Sequence, residues 1–188
     1  GDTHIWGVAD FNKNCSNAPM PLTGIPIYYM QCNHCKFTFT TDFDDWSLTD
    51  FADNIYNEDY GQTDPEYDGT RSRRDAETYM RGSDDFKRAL RLLDYGAGPG
   101  VFGQVLNENG FNATSWDPIW KNAESTKPAK GMFDIVTAWE VIEHSPDPYK
   151  TFDEIMSFLK PGGAIVICTK LMDYIEEESK MDRYHWYI

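Results

Sequence analysis

The chain has 188 residues, with 31 acidic against 17 basic side chains for a formal net charge of −14, and 40% of it is hydrophobic. That content fills a core and excludes wholesale disorder, while so acidic a surface repels phosphate backbones and anionic headgroups, leaving neither nucleic acid nor a membrane as a partner. No run of about 18 apolar residues and no charged-then-apolar start marks a membrane span or signal peptide, which points to a soluble, cytoplasmic chain.

Residues 1–46 read as a small separate element. Pro19, Pro21, Gly24 and Pro26 break any helix there. The runs YYMQ and KFTFT flank a Cys-x-x-Cys step, which predicts a hairpin or knuckle over Ile27 to Thr41. Cys32 and Cys35, with Cys15 upstream, have the half-site spacing of a zinc knuckle, in which two thiolates on one turn need two further ligands. Asn12 stands where a partner of Cys15 would be, so the set is incomplete, with His4, His34 or ligands upstream of Gly1 as the ways to complete it. Two reduced thiols in a packed hairpin are the alternative. Cys168, inside AIVIC, is expected in the core.

Residues 47–82 read as a helical lid or linker. Ser47 opens an S-x-x-D helix start, succeeded by Phe51, Ile55 and Tyr56 at helical spacing. Asn57 to Arg73 is polar and predicts a loop, and a helix is expected from Arg74 to Met80.

Residues 83–188 alternate strand and helix signals, the pattern of an α/β fold with a doubly wound, mostly parallel sheet. ALRLLDYG, NATSWD, FDIVTAWE and GAIVICT are the strand candidates. Val101, Phe102, Val105 and Leu106 mark one helix, and Phe152, Ile155, Met156 and Leu159 mark the apolar stripe of another.

LLDYGAGPG sets Asp94, Gly96, Gly98 and Gly100 at the exit of the first of these strands and before a helix. Glycines permit positive φ and close approach of a ligand to the backbone, and free N–H groups at a helix start favour an anion. Gly98-x-Gly100-x-x-Gly103 alone also satisfies a dinucleotide fingerprint. Asp117, in SWDP at the end of the second strand, stands where a carboxylate can accept ribose hydroxyls. FDIVTAWEVIEH and, one helix later, LKPGG complete the order of motifs.

Taken together, D-x-G-x-G-x-G, the acidic end of strand two, FD-x-V with EVIEH, and PGG make the stretch from about Leu90 to Lys170 resemble the class I S-adenosylmethionine-dependent methyltransferases, small-molecule branch. The resemblance implies a Rossmann-like fold and transfer of a methyl group from S-adenosyl-L-methionine to O, N or C of a small-molecule acceptor, a sugar or an aromatic among the candidates. It puts the methionine end of the cofactor on Asp94, Gly96, Ala97 and Gly98, with Gly100 also a cofactor-binding residue, and the ribose on Asp117. Trp116, Pro118, Ile119 or Trp120 would wall the adenine, and Ala138, Trp139 and Glu140 would pass near the reacting sulfonium. His144 is the candidate general base, with a structural histidine as the alternative; His185 is a second candidate. Tyr56, Tyr60, Tyr67, Arg71 and Arg74 are candidates for a lid over the methionine end. The N-terminal element looks like the zinc-binding module that precedes some sugar methyltransferases, which is the source of the expectation of structural zinc.

Only 16 residues separate Asp117 from Asp134, too few for a helix, a third strand and its loop, so the third strand is expected to be short or missing. The family's last two strands also need more residues than this chain has after Lys170, which predicts either a truncated chain or a neighbour covering an open edge, as a monomer or a homodimer. A module that binds cofactor without catalysis is the main competing reading, and an NAD-dependent oxidoreductase the lesser one.

Overall fold

A computed structural model describes residues 1–12, 21–82, 85–120 and 126–169. Cys15, His185 and everything beyond Thr169 lie outside the described residues.

Three strands, Thr3–Asp10 (β1), Pro26–Cys32 (β2) and Thr38–Thr40 (β3), form an antiparallel sheet in the order β1-β2-β3. Pairing of Tyr29 with Thr40 and Gln31 with Thr38 closes the expected hairpin around the Cys-x-x-Cys turn. β1 adds a strand that no turn signal announced. Its outward side chains Ile5 and Val8 are exposed, so THIWGVAD lacks a clean alternation of apolar and polar residues. The inner face, Ala9, Ile27 and Tyr29, packs on Phe43, Phe51 and Ile55.

Helix α1 (Leu48–Asn54) starts at the expected place. The Ser47 hydroxyl accepts the Asp50 N–H at 3.2 Å, and the Asp50 carboxylate accepts the Ser47 N–H at 2.7 Å, a complete capping box. The predicted loop after it is partly helical: a turn α2 (Tyr60–Thr63) and a 3-10 turn over Pro65–Asp68 precede α3 (Thr70–Arg81). α3 begins four residues earlier than the sequence suggested, because Gly69 takes φ of 103° and Asp68 accepts the Thr70 N–H, which together start the helix ahead of any apolar periodicity.

After α4 (Asp85–Ala89) come β4 (Arg91–Tyr95), α5 (Val101–Glu108), β5 (Asn112–Trp116), β6 (Phe133–Trp139), α6 (Pro148–Phe158) and β7 (Leu159–Cys168). The four strands pair in parallel in the order β5-β4-β6-β7, which is the doubly wound α/β sheet. Alternation sorts the two faces. Leu93, Tyr95 and Val136 meet Ile155 and Phe158 of α6, whereas Leu92 and Ile135 meet Ala76 of α3 and Phe102 and Leu106 of α5.

Among the described residues no strand lies between Trp116 and Phe133, so β5 is an edge strand and the expected gap at the third strand holds. A polar clasp stands near it. Lys127 sits 5.4 Å above the Trp116 ring and pairs with Glu154, which also accepts the Tyr95 hydroxyl at 2.7 Å. Two burial expectations change. Phe152 and Met156 are 39% and 44% exposed, leaving Ile155 and Phe158 as the buried positions of α6. Cys168 is half-buried rather than in the core, because among the described residues β7 is the outer strand of the sheet.

The approach of α5 to β5 depends on Gly103: a Cβ there would stand 2.2 Å from the Ser115 hydroxyl oxygen but 3.5 Å from its Cβ. Alanine inside a helix gains roughly 0.5–1 kcal/mol over glycine, which this overlap cancels or reverses. Gly103→Ala is therefore expected to be neutral or destabilising in the wild type and stabilising by up to about 1 kcal/mol in a Ser115→Ala background. Urea unfolding of the four proteins of that cycle checks it; simple additivity would refute close packing of Gly103 on Ser115.

Candidate functional site

Tyr95 ends β4, and the chain turns through three glycines with positive φ: Gly96 at 71°, Gly98 at 49° and Gly100 at 78°. At two of them a side chain would also meet a neighbour, as a clash at Gly96 and as a tight contact at Gly98. A Cβ on Gly96 would lie 2.6 Å from the Val141 side chain, and one on Gly98 would lie 3.1 Å from the Tyr67 hydroxyl oxygen. Asp117, one residue past β5, holds the loop in place. Its Oδ2 accepts the Gly98 N–H at 2.8 Å, and its Oδ1 accepts those of Ile119 and Trp120 at 2.8 and 2.9 Å.

Asp94 lies below this loop, 3% exposed and between Ser115 and Thr137 in the sheet register. Oδ1 is 3.5 Å from the Thr137 hydroxyl, and Oδ2 is buried with no hydrogen-bond partner among the described residues. Burial first, and then repulsion from Asp117, pushes this carboxyl up to about 8, against the Thr137 and Ser115 hydroxyls, which favour the ionised form. A buried carboxyl with an open oxygen beside a glycine turn fits a ligand that brings a positive charge or a donor.

A cavity of about 780 Å³ opens on the loop, within the range of ligand pockets. Of the predicted residues it brings together Gly96, Ala97, Gly98, Asp117, Pro118, Trp139, Glu140 and His144. It does not include Asp94, Gly100, Trp116 or Ala138. Gly100 caps α5, and Ala138 is fully buried in the sheet. Trp116 is not a wall of the cavity: strand alternation turns Ser115 toward α5 and Trp116 toward α6, where it packs on Tyr95 and Phe158. Glu140 comes after β6 at φ of 53°, an uncommon conformation for a residue with a side chain and one that re-aims the chain toward the cavity. His144 ends a 3-10 turn over Ile142–His144.

The lid candidates Tyr56, Tyr60, Tyr67 and Arg71 also line the cavity, whereas Arg74 is exposed and pairs with Glu66. Residues that no motif singled out complete the walls: Asp44 and Trp46 from the N-terminal element, Asp75 from α3 and Glu154 from α6. At the Cys-x-x-Cys turn, the N–H groups of Cys35 and His34 lower the Cys32 thiol. Cys32 and Cys35 are the thiols of that turn, and among the described residues no three candidate ligands converge on a metal site.

With this geometry in view, a family profile described as "Methyltransferase domain" matches residues 67–187. The chain belongs to that family. The matched region covers Tyr67, the glycine loop, Asp117 and the EVIEH segment together, so the cavity is largely a feature of the family domain. A ubiquinone biosynthesis O-methyltransferase of Caulobacter sp. (strain K31) is 30% identical over 102 residues, covering 43% of this chain and 40% of the relative. The chain thus spans less than half the length of that curated relative. Among solved structures, a Pyrococcus horikoshii protein aligns at a TM-score of 0.48 and 23% identity, over 63% of this chain and 65% of its own. A Thermotoga maritima S-adenosylmethionine-dependent methyltransferase aligns at 0.42 and 16% identity, over 65% and 67%.

The elevated Asp94 makes stability depend on pH in a defined direction. Because the folded state keeps the proton to about 8 while an unfolded aspartate releases it near its ordinary value of 3.8, folding binds a proton between those values, and stability falls as pH rises through that window. Asp94→Asn removes this loss. Its melting temperature relative to wild type should be higher at pH 8 than at pH 5, and a difference independent of pH would show that Asp94 is ionised in the folded protein.

Proposed function

We propose that this chain binds S-adenosyl-L-methionine on the glycine loop and transfers its methyl group to O, N or C of a small-molecule acceptor in the same cavity. The observation that carries the reading is the positive-φ loop of Gly96 and Gly98, tied through the Gly98 amide to Asp117 at the carboxyl edge of a parallel sheet. Ligands of open parallel sheets bind at that edge. Family membership supports the cofactor.

In this reading Gly96, Ala97 and Gly98 receive the methionine end by their backbone, with the buried Asp94 carboxyl beneath them. Asp117 already accepts two N–H groups at Oδ1 and one at Oδ2, so Oδ2 keeps capacity for one ribose hydroxyl rather than the pair expected from its position alone. Pro118, Ile119 and Trp120 take over the adenine wall from Trp116. The bound cofactor supplies a methyl group on a positively charged sulfur. What the protein adds is position: an in-line displacement needs the acceptor atom held behind that carbon, and the cavity walls hold it there. His144, on the cavity wall, is the proposed base for an acceptor that must lose a proton. A structural zinc ion on Cys32 and Cys35, with Cys15 as a further ligand, is proposed for the N-terminal element; metal analysis should find zinc in the purified chain and its loss in Cys35→Ser.

Isothermal titration with S-adenosylmethionine and S-adenosylhomocysteine, with NAD as control, tests the central reading. Binding of the sulfur cofactors alone is expected. Asp117→Ala should weaken that binding by about 1–3 kcal/mol through lost charge-assisted hydrogen bonds. An unchanged dissociation constant would sink the ribose assignment, and binding with no methyl transfer to any acceptor pool would favour a cofactor-binding module.

A further inference from the structure

The cavity holds far more negative charge than its own cations balance. Among the described residues nine carboxylates line it, against Arg71, Lys150 and His144. Both permanently charged lining cations are already engaged, Arg71 with Asp64 at 2.9 Å and Lys150 with Asp147 at 2.6 Å. Arg74 and Lys127, which are outside the lining, engage Glu66 and Glu154. Among the described residues the lining as a whole stays negative. Three of its carboxylates are close enough to act together: burial holds the Cys168 thiol high, and the charges of Glu140, Asp75 and Glu143 add to that effect.

A second feature shares the cavity. Four rings run in contact along its wall, Tyr56 to Tyr60 at 5.0 Å, Tyr60 to Tyr67 at 4.6 Å, and Tyr67 to Trp120 at 5.3 Å. Aromatic faces carry negative potential and attract organic cations, most strongly when water is excluded. A sulfonium cofactor with its ammonium and carboxylate groups offsets only a little of the negative charge. An anionic acceptor would be repelled, and a neutral one would gain nothing from the acidic lining.

We infer that the acceptor is an organic cation, a small amine that arrives as its ammonium and is held by the ring wall and the acidic lining. This rests on the methyltransferase reading. The ammonium first gives a proton to His144, the proposed base on the cavity wall, and the freed nitrogen lone pair attacks the sulfonium methyl carbon. A C–N bond forms as the C–S bond breaks, its electron pair stays on sulfur, and the product nitrogen keeps the positive charge.

The test uses the whole chain and two probes of one shape, choline and its neutral isostere 3,3-dimethylbutan-1-ol, titrated with and without saturating S-adenosylhomocysteine; catechol is the phenolic control. Choline is expected to bind at least tenfold more tightly than the isostere. Tyr60→Leu should cost choline fivefold or more while Tyr60→Phe retains it. Asp44→Asn with Asp75→Asn, chosen because neither is a core residue, should weaken choline and leave the isostere unchanged. The isostere or catechol binding as tightly as choline overturns the inference, as does choline failing in a chain that binds S-adenosylhomocysteine. Selective choline binding with no S-adenosylhomocysteine binding overturns the methyltransferase reading instead, and with it the acceptor role, leaving a cation site.

Discussion

Asp117 accepting the Gly98 N–H is the contact on which the rest of the site depends. A loop with positive φ at three positions has few conformations an ordinary residue could share, and without an anchor it would sample many of them. The carboxylate fixes it from the neighbouring strand, and the same group orders the amides of Ile119 and Trp120 on its other oxygen. One side chain thus sets both the glycine turn and the wall beside it. Parallel pairing of β4 with β5 is what delivers Asp117 there, since Tyr95 and Trp116 end their strands side by side.

The site stores unfavourable terms that the surrounding fold offsets. Asp94 is buried with an open oxygen, Glu140 holds a left-handed backbone, and carboxylates crowd a common cavity. Each costs stability on its own. The compensation lies in the two apolar layers that sandwich the sheet, one on α6 and one on α3 and α5.

How much of the molecule is legible in the sequence depends on sequence distance. β4 and β6 are legible because burial on both faces makes them short apolar runs, and β5 and β7 because they alternate with helix signals. The glycine loop and Asp117 are legible because their chemistry sits within a few residues of a strand end. β1 is not, since Ile5 and Val8 face outward and mask its periodicity. Trp116 is assigned to the wrong face because proximity to Asp117 says nothing about which side of the strand a ring takes, and Ser115 beside Gly103 decides that. Asp44, Trp46 and Glu154 reach the cavity only through the tertiary fold, and nothing local in the chain marks them.

Ile119 is two residues from Asp117, yet its partly buried side chain packs against the core cluster of the small antiparallel sheet. The two sheets therefore meet through a very short lever. A shift of the N-terminal element moves Ile119, and through the single turn after β5 it moves the carboxylate that fixes Gly98. Conversely, whatever tightens the glycine loop stiffens the small sheet. The N-terminal element is mechanically geared to the loop rather than merely resting over it.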